Sequence, residues 1–320
     1  MSAPQFSVLT AVYNPVPEHL AACLASVARQ RGASFEHVLV DDGSTDPAVL
    51  ALTPGAIRRA ENGGIVAASN DALAAATGEW VVLLDHDDEL ADGAVATLAR
   101  HTADADVIYS DHDQIRPDGR HADPSYKPDF SPERLRQTNW ITHLVAIRRS
   151  ELEAIGGFHP GTDGAQDHDV LLRLMERGSR FVHVPEILAH WRQSPASVAT
   201  DTANKPAAFD RGLEVVQAHL DRSGIDAHAS AGAYPGVYRI RRRVDPAAPV
   251  SVVIPTAGST GTVWGASRVF VAEAVRSLAA GSSHRPLEFV VVADAGTPDA
   301  VRAELSAVAG DALRWVPFEQ

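Results

Sequence analysis

The 320-residue chain has one cysteine, two methionines and only 6% aromatic residues. A single thiol, Cys23, excludes an intrachain disulfide, and no Cys/His spacing of a zinc site is present. Such a chain suits a reducing cytoplasm, and Cys23, inside a helical pattern, reads as a small core residue. Long apolar runs are missing as well: none approaches the roughly 18–20 residues needed to cross a bilayer. The N-terminus lacks the basic-then-apolar order of a secretion signal, so the chain is expected to be soluble. Basic charge is in deficit, with 28 Lys and Arg against 41 Asp and Glu and a net charge of −13. That balance argues against a nucleic-acid coat or a polybasic membrane anchor. The one dense basic run, Arg241-Arg242-Arg243, reads as the solvated face of a strand, with contact to anionic lipid as the alternative.

What is present points to a folded α/β protein. A 45% hydrophobic content at this length can bury a full core and more than one folding unit. Phe6–Val12 reads as a strand, Glu18–Arg31 as an amphipathic helix, Phe35–Val40 as a strand, Ile65–Ala76 as a helix and Trp80–Leu84 as a strand buried on both faces. Alternation of this kind builds βαβ units around a mostly parallel open sheet with helices on both faces. Ligands of such sheets bind beyond the carboxyl ends of the strands.

The strand ends here are chemically distinctive. They read Ala11-Val12-Tyr13-Asn14, Asp41-Asp42-Gly43-Ser44, Asn62-Gly63-Gly64 and Asp85-His86-Asp87-Asp88. A parallel sheet gathers all four on one rim, bringing an aromatic face, carboxylates and close-approach glycines into one crevice. Oxygen-rich ligands at the end of a rigid strand suit a hard divalent cation, and a cation there suits a substrate that carries phosphates. For Asp41 and Asp42 a turn and helix-cap role, shared with Ser44, stands beside the functional one.

Further along, Asp106–Ser110 reads as a strand and Asp113–His121, with its Arg-Pro-Asp-Gly, as a hairpin. Asp123–Pro132 reads as loop, Leu144–Arg148 as a strand, Asp167–Arg177 as a helix, Phe181–Val184 as a strand and Ala203–Ser223 as a long helix. Val250–Thr256 then echoes the first strand, and Glu288-Phe-Val-Val-Val-Ala-Asp-Ala-Gly-Thr echoes Glu36-His-Val-Leu-Val-Asp-Asp-Gly-Ser-Thr. The organisation expected is a first domain over 1–228, a linker with a short strand over 229–249, and over 250–320 a partial second copy that stops before any counterpart of Asp85–Asp88.

Seven motifs occur in one order: Val-Asp-Asp-Gly-Ser-Thr-Asp, Asp-His-Asp-Asp-Glu-Leu, Tyr-Ser-Asp-His-Asp, Tyr-Lys-Pro-Asp-Phe-Ser-Pro, Gly-Gly-Phe, Gln-Asp-His-Asp and His-Trp-Arg. Through residues 6–245 the chain resembles the family 2 glycosyltransferases of the GT-A fold, above all the tandem bacterial enzymes that build O-antigen-like polysaccharides. The resemblance implies a nucleoside diphosphate sugar lying across the strand ends. Tyr13, with Ala11 beside it, would flank the base, Asp42 would accept from the base's ring N–H, Gly64 would allow close approach, and Asp85 and His86 would lie near the ribose and first phosphate. Asp87 would ligate Mn²⁺ or Mg²⁺, with His190 as a further ligand to the metal or diphosphate. Gln166-Asp167 corresponds to the family's Glu-Asp pair, which makes Asp167 the base, with helix capping as its alternative, and puts Gln166 where Glu is usual. Asp169, two residues on, should point elsewhere.

Asp111 and Asp113 are read as sugar contacts or as the solvated entrance to the hairpin. Trp140, with Asn139 and Lys127, is placed where an acceptor enters, and Arg192 would pair with the diphosphate or a nearby carboxylate. The implied activity is metal-dependent inverting transfer from a UDP- or dTDP-sugar to a saccharide or lipid-linked saccharide acceptor, in the cytoplasm or peripherally at the inner membrane face. Completion by the rest of a second domain is expected. Two other readings stand beside it: a sugar-phosphate nucleotidyltransferase, disfavoured because Tyr13-Asn14-Pro15-Val16-Pro17 offers neither glycine nor cation to a triphosphate, and an inert binding fragment of a longer polymerase.

Overall fold

The computed structural model describes residues 3–193 and 206–318. The chain forms two units, Met1–Arg242 and Arg243–Gln320. In the first, β1 (Phe6–Val12), α1 (Pro17–Ala28), β2 (Phe35–Asp41), α2 (Pro47–Leu52), β3 (Ile57–Arg58), α3 (Ile65–Ala75) and β4 (Trp80–Leu83) alternate as their apolar periods require. Then follow β5 (Glu89–Leu90), α4 (Ala94–Ala99), β6 (Val107–Ile115), β7 (His121–Ser125), α5 (Pro132–Gln137), β8 (Val145–Arg148), α6 (Arg149–Ala154), α7 (Gln166–Glu176), β9 (Phe181–Arg192), α8 (Pro206–Arg222), β10 (Ala227–Ala231) and β11 (Tyr238–Arg242). Residues 203–205 of the expected long helix lie outside the described residues.

One sheet carries the order β3-β2-β1-β4-β8-β6-β9-β5, with β7 added to β6. β1 pairs in parallel with both β2 and β4, β6 pairs in parallel with β9, and β8 runs antiparallel between β4 and β6. Alternate side chains divide the core into two layers. Leu9, Val81, Tyr109 and Ile147 pack with α3, α6, α7 and α8. Phe6, Val8, Trp80 and Ile108 pack with Cys23 and Val27 of α1 and with α4. Cys23 is fully buried there, and burial pushes its thiol pKa up.

Local chemistry sets the helix starts. Asp46 accepts the Ala48 N–H at 2.8 Å and Ser131 accepts that of Arg134 at 3.4 Å, each with proline at the first turn. Asp41 and Asp42 therefore do not cap α2. Asp41 accepts the Ser44 N–H at 3.0 Å and pairs with Arg58. Gly64, at φ 90°, precedes α3, and a Cβ there would lie 2.4 Å from Asp163, whose carboxylate accepts from Val66 at 3.3 Å.

Three boundaries differ from the sequence reading. β6 runs on to Ile115, so Asp111, His112 and Asp113 lie inside a buried strand and not at a solvated hairpin entrance. β9 continues to Arg192 because a register shift skips Pro185 and Glu186: Val184 pairs with Ser110 and Ile187 with Asp111. Proline has no N–H for a ladder, so it is accommodated in such a bulge. The β10–β11 hairpin belongs to the first unit, not to a linker, since Ala229 and Tyr238 are buried in its core.

The second unit comprises β12 (Val250–Thr256), the hairpin β13 (Thr260–Val263) and β14 (Ala266–Val269), α9 (Phe270–Gly281), β15 (Leu287–Asp294), α10 (Asp299–Ala309) and β16 (Leu313–Phe318). Its three-stranded parallel sheet has the order β12-β15-β16. The internal echo extends to a side-chain bond: Ser7 donates to Glu36 across β1–β2, and Ser251 donates to Glu288 across β12–β15, both at 2.6 Å and at matching register.

Candidate active site

The carboxyl ends of β1, β2 and β4 gather the expected residues of the first unit on one rim. Asp42 is buried, and its two oxygens accept the N–H groups of Gly63 and Gly64, each at 2.9 Å, while Arg59 lies 2.9 Å away. The carboxylate thus fixes the glycine loop before α3. Tyr13 leaves its ring half exposed above the end of β1. His86 donates from Nδ1 to the Ala11 carbonyl at 3.0 Å, tying the acidic segment to β1.

At the end of β4, Asp85 is exposed and Asp88 is buried. The segment before β8 brings His143 against both, with Nδ1 3.6 Å from Asp88 and Nε2 3.9 Å from Asp85. The donor atoms of Asp85, Asp88 and His143 all lie within 4.8 Å of one another. One oxygen of Asp88 accepts the Arg192 N–H at 2.9 Å, but the other, facing His143, is buried and has no hydrogen-bond partner among the described residues. Burial raises the Asp88 pKa to about 8; His143 opposes the rise while Asp85 and Asp87 reinforce it. Burial pulls His143 down, yet Asp88, Asp85 and Asp167 outweigh it and hold its pKa above the usual value. An orphaned carboxylate oxygen beside a second carboxylate and an imidazole fits a divalent cation.

Asp167 lines the same cleft as Asp85 and His143, against an apolar wall of Leu83, Val145 and Ile147. It is the second residue of α7, whose cap, Ala165, makes no side-chain bond, so Asp167 does not serve as the cap. Burial, reinforced by Asp85, raises its pKa to about 6. Gln166 donates to Asp167 at 3.3 Å and accepts the Gly164 N–H at 2.7 Å, an orienting contact that a glutamate could not donate. Asp169 points away and pairs with the buried Arg173 at 2.7 Å.

His190 is held elsewhere. Its Nδ1 donates to Asp113 at 2.5 Å, and its ring lies 4.1 Å from that of His121. The next residue, Trp191, faces His143 at 6.0 Å, and successive strand residues point to opposite sides. Among the described residues His190 therefore groups with Asp113 and His121, not with Asp87, which falls in neither donor group. Arg192 takes the carboxylate option: it donates to Glu89 at 2.5 Å and to the Asp87 carbonyl at 2.8 Å. Asp111 is buried between the Lys127 N–H and His183. Lys127 does not stand free at an entrance; its ammonium is buried on the carbonyls of Ser110 and His143. Arg134 lies 5.1 Å over the Trp140 ring, whose edge meets Tyr109.

His143 and Lys127 are the groups that sequence reading undervalued. The trace of His143 in the sequence is one imidazole beside Thr142 in the otherwise apolar stretch Trp140–Ile147.

A curled, mostly parallel sheet between helical layers, with an acidic rim at the strand ends, is the GT-A fold of glycosyltransferases. Residues 7–155 match the model of glycosyl transferase family 2, so the first unit carries a domain of that family. It is 34% identical over 264 residues to the O-antigen biosynthesis protein RfbC of Myxococcus xanthus, covering 79% of this chain and 21% of that protein. The y4gI protein of Sinorhizobium fredii is 35% identical over 270 residues, 80% of this chain and 30% of that protein. The chain thus spans less than a third of the length of these curated relatives. S. aureus TarS 1–349 in complex with UDP-GlcNAc shares the fold, at a TM-score of 0.52 and 19% identity, over 68% of this chain and 66% of that one.

Proposed function

We propose that the first unit transfers a sugar from a nucleoside diphosphate sugar to a saccharide hydroxyl in the synthesis of a surface polysaccharide. The observation that carries this reading is the shared cleft of Asp85, His143 and Asp167, with the partnerless Asp88 oxygen beside it. Asp85, Asp88 and His143, with Asp87 next to them, would hold Mn²⁺ or Mg²⁺. Bound there, the ion would offset the charge that builds on the diphosphate as the glycosidic bond breaks. His190 is left out of this set because its ring is bonded to Asp113.

Tyr13 offers the exposed ring against which a base stacks, and the glycine loop held by Asp42 leaves room for the nucleotide. Asp167 is the base. Its raised pKa suits it to take the acceptor hydroxyl proton onto a carboxylate oxygen near neutral pH, while Gln166 keeps the carboxylate aimed. The deprotonated oxygen attacks the anomeric carbon from the side opposite the diphosphate, so the configuration inverts and no covalent intermediate forms. The RfbC relative favours an O-antigen type of product, and the TarS complex favours UDP as the nucleotide.

The test is UDP binding by thermal shift with Mn²⁺, with chelator, and in Asp88→Asn. A melting rise that needs Mn²⁺ and disappears in the variant is the expected outcome. An equal rise with chelator would remove the cation from the reading.

A further inference from the structure

We infer that Asp113, His121 and His190 form a second metal site, nitrogen-rich and suited to a late transition ion such as Zn²⁺, separate from the oxygen-rich group at the end of β4. Three strands build it. Asp113 on β6 is the register partner of His190 on β9, and His121 opens β7, returning from the turn after Ile115. Asp113 stands between two imidazoles, with one oxygen 2.5 Å from His190 Nδ1 and the other 3.5 Å from His121 Nδ1. All three donor atoms lie within 4.8 Å of one another.

The arrangement asks for more than a hydrogen bond. One carboxylate–imidazole bond would satisfy Asp113 and His190 alone, yet a second ring is set 4.1 Å from the first at 67°. Were both rings protonated, two cations would meet beside a single carboxylate. A metal ion takes both imidazoles in their neutral form together with the carboxylate. Zn–N and Zn–O bonds of about 2.0–2.2 Å place tetrahedral donors roughly 3.4 Å apart. The His121 Nδ1–Asp113 Oδ2 spacing already has that value, and loss of the proton between His190 Nδ1 and Asp113 Oδ1 frees the carboxylate to turn one oxygen toward both rings.

Two imidazoles and one carboxylate leave a fourth position for water, on the side where 46% of the His121 side chain meets solvent. Nitrogen donors favour Zn²⁺ over Mg²⁺ or Mn²⁺, so the two donor sets of this unit sort ions by ligand type. The bound ion would staple the β6–β7 hairpin to β9. This inference does not rest on the transferase reading, because none of its three ligands belongs to the cleft of Asp85, His143 and Asp167.

The experiment uses the full chain, free of any histidine tag and stripped of metal, titrated with Zn²⁺ and with Co²⁺ as a spectroscopic probe. One tight Zn²⁺ per chain is expected, with the Co²⁺ form showing the visible absorption of a tetrahedral site. His121→Ala and His121→Gln should each weaken Zn²⁺ by about 100-fold or more, beyond what loss of an outer contact costs. Cooperative melting of the metal-free variants near the parent temperature keeps unfolding from imitating that loss. Equal Zn²⁺ binding by parent and both His121 variants would overturn the inference, and so would Zn²⁺ lost in Asp88→Asn but retained in His121→Ala.

Discussion

The two units begin alike and differ at the ends of their strands. Each opens with a strand, a helix and a second parallel strand, the second unit inserting the β13–β14 hairpin before its helix, and each ties the strands by the same serine-to-glutamate bond, Ser7 to Glu36 and Ser251 to Glu288. In the first unit β1 is covered on both faces, whereas β12 leaves Val253 62% exposed. At the strand ends, Asp41 and Asp42 are held by Arg58, Arg59 and the glycine loop. At the matching turn Ala293 replaces Asp41, and Asp294 accepts within its own turn, from Gly296 at 2.8 Å. A βαβ unit makes a polar edge. A site needs the further groups that β4, the segment before β8 and α7 deliver to that edge.

The sharpest way to break this contrast is at the base. Asp167→Asn should lower the sugar-transfer rate by about 10²- to 10⁴-fold and leave Mn²⁺-dependent UDP binding in place. The parent rate should fall tenfold per pH unit below about 6, because the raised carboxyl is protonated there and cannot accept, and should level off above. An acid limb centred near 4 would place the working base outside this cleft.

The next effect is on stability. Trp80 is fully buried under the Arg148 guanidinium, and Trp80→Ala should cost about 3–5 kcal/mol in urea unfolding. Val253→Ala on the open face of β12 should stay within about 0.5 kcal/mol. Comparable losses would mean that β12 is covered in solution. The finest comparison is the repeated bond itself. Ser7→Ala also strips the Gly78 N–H of its buried acceptor and should cost about 1–3 kcal/mol, while Ser251→Ala, at an exposed position, should cost under about 0.5 kcal/mol.

Much of the fold could be read from the chain because local period and buried apolar runs decide helix and strand. The run Trp80–Leu83 and the amphipathic pattern of α7 needed no partner to be recognised. The apolar strand signal of β6 ends early because its later residues, Asp111, His112 and Asp113, are polar. Their burial is accommodated because Lys127 and His183 meet Asp111, the His143 carbonyl meets His112 and His190 meets Asp113, all from elsewhere in the chain. The strand signal of β9 stops at Val184 because Pro185 lacks a ladder N–H, and the bulge opposite Ser110 and Asp111 carries the strand past it.

Composition and motif order alone determined an α/β chain with an acidic strand-end rim, since side-chain type and spacing carry that information without any fold. Only the tertiary structure decided which rim groups stand together. His143 joins Asp85 across 58 intervening steps of chain, and His190 turns to Asp113 while its neighbour Trp191 faces His143. The physical reason is the pleat of the sheet: one residue's step along a strand reverses the side on which a ligand lies, and the pairing of strands distant in sequence selects its partner.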